Sequence, residues 1–261
     1  MRKKGLAVAA FIALLLLVAV PPADAAPEVD CAGVHYNATD PYEVWNAQQL
    51  QCVSPDNDYT LQSDIDLSGV SFEPIPVWNI SHGNYTRDLE EFTGTLDGNG
   101  HNITGLNVYQ PDEKYVGLFE RVGSDASVTN LNLRGVNVTG RTHVGGLTGD
   151  VASGGEVSGV YVEGRVSGDS VVGGVAGRNG GELKEISADV NASGDDTVGR
   201  LVGWNLGTVT TTNSTEGAVG DNPGSVSRTD SSPIPSPVPG FTAVVVLVAS
   251  LLVVARYARR R

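Results

Sequence analysis

Through most of this chain the apolar residues come singly, with polar residues between them. In Tyr59-Thr60-Leu61-Gln62-Ser63-Asp64-Ile65-Asp66-Leu67 the apolar positions are Leu61, Ile65 and Leu67, so one face of a strand turns inward and the other meets water. Asp64 and Asp66 then share the outer face. Residues 92–106 predict two more short strands about a turn, where Asp97-Gly98 and Asn99-Gly100 supply residues that tolerate left-handed backbone. Ahead of these, Tyr42 to Leu50 reads as a short capping helix.

From Val116 the pattern repeats. The phrase Val144-Gly145-Gly146-Leu147-Thr148-Gly149 returns as Val172-Gly173-Gly174-Val175-Ala176-Gly177 and as Val198-Gly199-Arg200-Leu201-Val202-Gly203, after a degenerate Val116-Gly117-Leu118-Phe119. The valines are 28, 28 and 26 residues apart, a period that marks a solenoid. Laid on one another, the copies align Val128 with Val157 and Leu183, Leu133 with Val162 and Ala188, and Val138 with Val166 and Ala192. A unit with one apolar face per strand is unstable alone and buries that face by stacking. The expected fold is therefore all-β: a right-handed parallel β-helix of 26–28-residue repeats behind a short N-terminal capping region. Each coil should rise ~4.8 Å. Glycine is expected to supply the positive φ angles of the corners. The stretch Thr208 to Thr215 puts hydroxyls where earlier units have Val, Leu and Ile, as suits a closing coil.

Both ends carry processing signals. Arg2-Lys3-Lys4, the apolar run Leu6–Val20 and Ala23-Asp24-Ala25 form a secretory signal peptide over residues 1–25. The remainder divides into a capping region (26–91), the repeats (92–220), a Pro/Ser-rich stalk (221–238) and a tail (239–261). Phe241 to Ala255 is an apolar stretch of 15 residues. As a helix it would span ~22 Å, short of a hydrocarbon layer of ~30 Å. The whole chain has 30 acidic and 17 basic residues; without both end signals, 29 face 10. Such a surface excludes nucleic acid as a partner, since little remains to neutralise phosphates. It resembles the Lys-poor, Asp-rich surfaces of proteins from salt-loving archaea, where salt screens the repulsion.

Candidate chemistry is sparse. Cys31 and Cys52 are the two cysteines, and in an exported chain they are expected to form one disulfide. Asp97 and His101 are spaced as an acid–base pair could be, but no nucleophile accompanies them and turn chemistry accounts for each residue there. Asp64 and Asp66 could offer oxygen ligands to calcium, although solvated strand carboxylates explain them more simply. No cofactor is expected. Seven sequons occur, at Asn37, Asn79, Asn84, Asn102, Asn137, Asn191 and Asn213, and some are expected to carry glycans. Asn137 and Asn191 each precede an inward position, so both should point outward from one face.

Two stretches resemble known families. The phrases at 145–149, 173–177 and 199–203, with Phe92-Thr93-Gly94-Thr95-Leu96-Asp97-Gly98-Asn99-Gly100-His101 before them, resemble the GLUG repeat. That resemblance implies a β-helical surface or adhesin-like protein and says nothing of its ligand. Pro239-Gly240-Phe241, the apolar run and the basic end Arg256 to Arg261 are similar to the PGF-CTERM sorting signal of archaeal surface proteins. It implies recognition by an archaeosortase and exchange of the tail for a lipid anchor at the membrane; the alternative is a tail kept as a single-pass transmembrane anchor. The reading that emerges is an anchored, N-glycosylated structural or adhesive protein of an archaeal cell surface, with surface glycans or S-layer proteins as expected partners. The rival is a β-helical polysaccharide lyase or glycosidase. It would need clustered carboxylates, for which Asp195 and Asp196 are the nearest candidates, whereas the aligned outward residues Asn137, Arg165 and Asn191 offer none.

Overall fold

The computed structural model describes residues 31, 34, 36, 40–75, 91–211 and 217–228. The leader, the Pro-rich residues 229–238, the tail with Pro239, Gly240 and Phe241, and the sequons Asn37, Asn79, Asn84 and Asn213 lie outside them.

The chain opens with β1 (Tyr42–Val44), a five-residue helix α1 (Ala47–Gln51), β2 (Tyr59–Leu61) and β3 (Ile65–Asp66). After residue 91 come β4 (Thr95–Asp97), β5 (Asn102–Thr104), β6 (Asn107–Tyr109), β7 (Lys114–Val116) and β8 (Phe119–Val122). The next coil is β9 (Ser127–Thr129), β10 (Asn132–Thr139), β11 (Thr142–Gly145) and β12 (Thr148–Val151). It is followed by β13 (Glu156–Ser158), β14 (Tyr161–Ser167), β15 (Ser170–Gly173) and β16 (Ala176–Asn179). Then come β17 (Glu182–Ser193), β18 (Val198–Gly199) and β19 (Val202–Asn205), and finally β20 (Thr208–Thr211), β21 (Val219–Asp221) and β22 (Ser225–Arg228).

Equivalent strands of successive coils pair in parallel, giving a β-solenoid with almost no helix. One stack runs β7-β11-β15-β18 and a second runs β8-β12-β16-β19-β21. The remaining strands form a 13-stranded sheet, in which the 12-residue β17 belongs to two stacks at once. The register is the one the sequence predicts. Val157 pairs with Val128 and Leu183, Val162 with Leu133 and Ala188, and Val166 with Val138 and Ala192. Val144 likewise lies between Val116 and Val172. Of these, Ala192 alone is only partly buried, near the thinning end of the stack. Each fully buried Val or Leu contributes ~1.5–3 kcal/mol, and the columns join into one continuous core along the axis.

Three features differ from the sequence reading. Tyr42 to Val44 is a strand paired with Tyr59 to Leu61, so the solenoid begins inside the expected capping region. The helix waits until Asn46, whose side chain accepts the Gln49 N–H at 3.0 Å and fixes the N-terminus. At the other end, β21 pairs with β19 and β22 with β20, so the stack runs on to Arg228. The polar-apolar-polar run Ser225-Val226-Ser227 carries that strand, hidden in a Gly- and Ser-rich composition.

The third difference concerns the glycines. Eight described glycines, Gly100 and Gly135 among them, hold positive φ as expected, but at the corner of the repeated phrase it falls on Tyr115 (61°), His143 (56°), Val171 (55°) and Thr197 (36°), each just before the phrase's valine. The phrase glycines are required for space instead. A Cβ on Gly145 would strike the carbonyl oxygen of Thr148, and one on Gly173 that of Ala176. A Cβ on Gly149 would strike the Cα of Tyr115, and one on Gly203 would come within 2.8 Å of the Val171 carbonyl carbon.

Polar residues also enter the interior. Val122 and Val151 head a column that continues as Asn179 and Asn205, both fully buried. Asn179 Nδ2 donates to Asn205 Oδ1 at 2.7 Å, and Asn205 Nδ2 donates to Asn222 Oδ1 at 2.7 Å. Asn179 also accepts the Gly181 N–H at 3.1 Å, and Asn205 Nδ2 reaches the Ser225 carbonyl at 3.3 Å. The ladder satisfies backbone groups at the turns that follow β16 and β19. Truncating a buried amide strands its partners at ~1–3 kcal/mol. Asn205→Ala is therefore expected to lose ~2–3 kcal/mol in urea unfolding, while the exposed Asn191→Ala stays within ~0.5 kcal/mol of wild type.

Candidate interaction face

The N-terminal end is closed by covalent and aromatic contacts. Cys31 and Cys52 form a disulfide with Cα atoms 5.6 Å apart. It tethers the chain where Tyr36 packs on Tyr42 and Tyr59, with ring centroids 5.6 and 5.4 Å away. Tyr36 also donates to the Gln49 carbonyl at 2.7 Å. Burial first, then the nearby Tyr59, pushes the Tyr36 phenol well above its ordinary range, so it stays a donor.

The outer face of β3, β5, β10 and β14 carries a hydrogen-bonded chain that crosses four coils. Asp97 and His101 do not meet in the contacts of this face. Asp97 Oδ1 accepts the Asn99 N–H at 2.8 Å and Asn130 Nδ2 at 3.1 Å, closing its own turn. His101 Nδ1 lies instead 3.1 Å from Asp64 Oδ1. Asp64 further accepts the Asn102 N–H at 2.9 Å and Asn102 Nδ2 at 3.0 Å. Arg134 Nε donates to Asn102 Oδ1 at 3.1 Å and its Nη1 to Glu163 at 3.0 Å, while its guanidinium sits 5.0 Å from the Tyr161 ring centre. These residues are 37–38 apart where Asp64 is concerned, and no local spacing announces them. Alternation placed Asp64 outside, but coil length alone decided what it would meet.

Asp66 lies beside Asp64 across the buried Ile65, with its carboxylate turned to the Ser68 N–H at 2.9 Å. Among the described residues no group of three or more His, Cys, Asp or Glu side chains is placed to hold a metal ion. Asp195 and Asp196 sit at an exposed corner, where Asp196 accepts from Ser170 Oγ at 3.4 Å and Thr197 Oγ1 at 3.1 Å.

A second outer column reads Asn107, Asn137, Arg165 and Asn191 in exact strand register. All four are exposed. Of the three described sequons, Asn137 and Asn191 stand in this column, while the Asn102 side chain is engaged at both its oxygen and its nitrogen.

A third column, along β8, β12, β16 and β19, is charged and partly buried. Arg121, Asp150, Arg178 and Trp204 follow one another in register, and Glu91 reaches Arg121 at 3.0 Å. Asp150 is 1% exposed and ion-paired to Arg121 at 3.1 Å and Arg178 at 3.3 Å. Burial raises its pKa against the opposing pull of Arg178 and Arg121. Arg178 in turn lies 5.9 Å from the Trp204 ring centre. Next to this column, His143 stacks on Tyr115 at 4.9 Å; burial, then Arg178 and Lys114, lowers its pKa.

The fold and surface together define a class: a parallel β-solenoid that displays polar columns continuous from coil to coil. No family model matches the chain. It is 35% identical over 123 residues to Halomucin of Haloquadratum walsbyi, a stretch that is 42% of this chain and 1% of Halomucin. It is 36% identical over 95 residues to an Evansella cellulosilytica protein described provisionally as a Gly-rich membrane protein, covering 35% of this chain and 10% of that one. The chain thus spans a small fraction of the length of either relative. A solved Bacteroides ovatus protein, described provisionally as an immunoglobulin A1 protease, aligns over 67% of this chain and 66% of its own. Its TM-score is 0.45 at 18% identity.

The Asp64 cluster makes a pH prediction. Hydrogen bonds from the Asn102 backbone and side chain, then from His101, lower Asp64 from 3.8 to about 2. A depressed carboxylate stabilises the fold above its unfolded pKa, and that contribution vanishes as pH falls through the folded value. Melting temperature followed between pH 5 and pH 2 should therefore fall less steeply in Asp64→Asn than in wild type. Identical slopes would show that the cluster does not discriminate between the carboxylate and its acid.

Proposed function

We propose that this chain is an exported cell-surface protein with a structural or adhesive role, N-glycosylated on its coil faces and held at the membrane through its C-terminal segment. The observation that carries the reading is the 35% identity over 123 residues to Halomucin of Haloquadratum walsbyi, in a chain whose described part is a solenoid. The relative described as a Gly-rich membrane protein supports the same location. Three sequence features add to it: the signal-peptide pattern, the GLUG-like phrases and the Pro239-Gly240-Phe241 tail.

In this reading the leader exports the chain, and an archaeosortase replaces the tail with lipid. The residues from 229 to 238 space the solenoid from the membrane. Among the described residues no helix is long and apolar enough to cross a membrane, and the 241–255 stretch lies outside them. The solenoid faces then serve as contact surface toward surface glycans or S-layer proteins. Its own chemistry is non-catalytic: Asp64, Asp97 and Asp150 each satisfy neighbouring donors or cations of the stack.

Fractionation of cells producing the full chain, followed by mass spectrometry of the purified protein, tests this. The protein should be in the envelope fraction, with residues 1–25 absent and no peptide ending in Arg261. A cytosolic protein retaining Met1 would overturn the surface reading, and an envelope protein retaining Arg261 would overturn the lipid exchange. Cleavage of an acidic polysaccharide that is lost in Asp195→Ala or Asp196→Ala would replace the structural role with a catalytic one.

A further inference from the structure

The outer face of β6 holds an aromatic side chain that the core does not use. Tyr109 is 74% exposed, against 50% for Trp45 on the N-terminal cap. Val108 points inward and places Asn107 and Tyr109 together on the outside. In register, Asn107-Val108-Tyr109 lies against Asn137-Val138-Thr139, which is a sequon. Tyr109 thus occupies in its coil the place that the sequon hydroxyl holds in the next. Asn137 Nδ2 already donates to Asn107 Oδ1 at 2.7 Å, which leans the Asn137 side chain toward β6. The same strand borders a cleft of about 360 Å³ between residues 69–73 and 107–110. Its polar edge is a hydrogen bond from Gln110 Nε2 to Glu73 Oε2 at 2.9 Å.

We infer that the glycan carried by Asn137 folds back across Asn107 onto the ring of Tyr109 and into this cleft, which makes Tyr109 a carbohydrate-binding residue for the protein's own sugar. The inference rests on the N-glycosylation proposed above. The linkage forms when Nδ2 displaces a lipid phosphate from the anomeric carbon of an oligosaccharide donor and gives up one proton. One N–H remains on that nitrogen, so the bond to Asn107 survives and fixes the direction in which the sugar leaves.

The dimensions suit this path. With strands ~4.8 Å apart and two residues spanning ~6.6 Å along a strand, the diagonal from Asn137 to Tyr109 is ~8 Å, within reach of an aromatic side chain. The first sugar on Asn137 therefore spans the distance to Tyr109. The negative face of the phenol ring attracts the weakly positive C–H bonds on one side of a pyranose. Beyond the ring, Asn107, Gln110 and Glu73 present an amide oxygen, an amide and a carboxylate to sugar hydroxyls. The strongly acidic chain makes this a site for a neutral sugar rather than a polyanion.

The other sequons of this face are built differently. Asn191 stands in the same outer column, but the residue diagonal to it in the preceding coil is Ser167, so its glycan meets no ring. Asn102 Nδ2 is directed to Asp64 instead. Among the described sequons, only Asn137 has a free-standing ring and a cleft beside the attachment point.

The test is a double-variant cycle on the full chain from an N-glycosylating host, with intact glycopeptides read alongside thermal melts. Tyr109→Ala removes the ring, and Thr139→Val removes the sequon while leaving the Asn137–Asn107 bond. With Asn137 glycosylated, Tyr109→Ala should lower the melting temperature by ~3 °C, and by less than ~1 °C in the Thr139→Val background. Ser193→Ala, which removes the Asn191 sequon, should leave the effect of Tyr109→Ala unchanged. A glycosylated Asn137 with equal Tyr109→Ala shifts in both backgrounds overturns the docking alone. A bare Asn137 overturns the glycosylation at this site and the docking with it.

Discussion

The structure depends on how closely the backbone of one coil approaches the next at the corner just before the repeated Val-Gly-Gly phrase. There a residue in left-handed conformation, such as His143, turns the chain so that its main chain lies against a glycine one coil later. A Cβ on Gly177 would meet the His143 carbonyl carbon and stand 2.5 Å from the Val144 amide nitrogen. Such an approach leaves no room for a side chain. It also sets the spacing at which the parallel ladders form, so the apolar columns, the asparagine ladder and the polar faces all inherit their register from it. Backbone strain is accepted in exchange: Val171, a β-branched residue, holds φ at 55° to keep the corner.

Given that register, chemistry accumulates in columns. A residue repeated once per coil meets its own equivalents, which is why Asn179, Asn205 and Asn222 form a chain of amides and why Arg121, Asp150 and Arg178 alternate in charge. The buried Asp150 would be costly alone; two guanidiniums offset that cost. The outer faces follow the same rule with water on one side. Polar side chains there bridge coils, as in the run from Asp64 through Asn102 and Arg134 to Glu163. A surface made this way is extended and repetitive, which suits contact with another repetitive material better than it suits capture of one small molecule.

Much of this was legible before any coordinates. Alternation around Ile65, Leu133 and Val138 gave the inward faces, and the spacing of Val116, Val144, Val172 and Val198 gave the axial register residue for residue. What escaped did so for identifiable reasons. Positive φ is expected of glycine, which adopts it most cheaply, and eight described glycines hold it; at the corners before the phrase Tyr115 and His143 carry it instead, since the neighbouring glycines are needed for close approach. The pairing of His101 with Asp64 rather than Asp97 spans 37 residues and depends on the length of the intervening coil, which the early, degenerate units do not display. The extra strand at Ser225–Arg228 was masked by a composition shared with linkers. Buried Asn205 carries no signal of its own in the sequence, because an amide in a core makes sense only once its partners above and below are known.

The claim that space, and not backbone conformation, fixes the glycines of the phrase can be measured directly. Gly177 has ordinary φ and a crowded Cβ site, whereas Gly100 has φ of 77° and no atom within 4 Å of its Cβ site. Alanine at Gly100 should cost ~1–2 kcal/mol for left-handed backbone. Alanine at Gly177 forces two backbones apart and should cost more than the ~1–3 kcal/mol usual for overpacking. Denaturant unfolding of Gly177→Ala and Gly100→Ala, side by side, is therefore the decisive comparison. The account predicts that the Gly177 variant is the less stable by a clear margin or fails to fold. Equal stability, or a larger loss at Gly100, would contradict it.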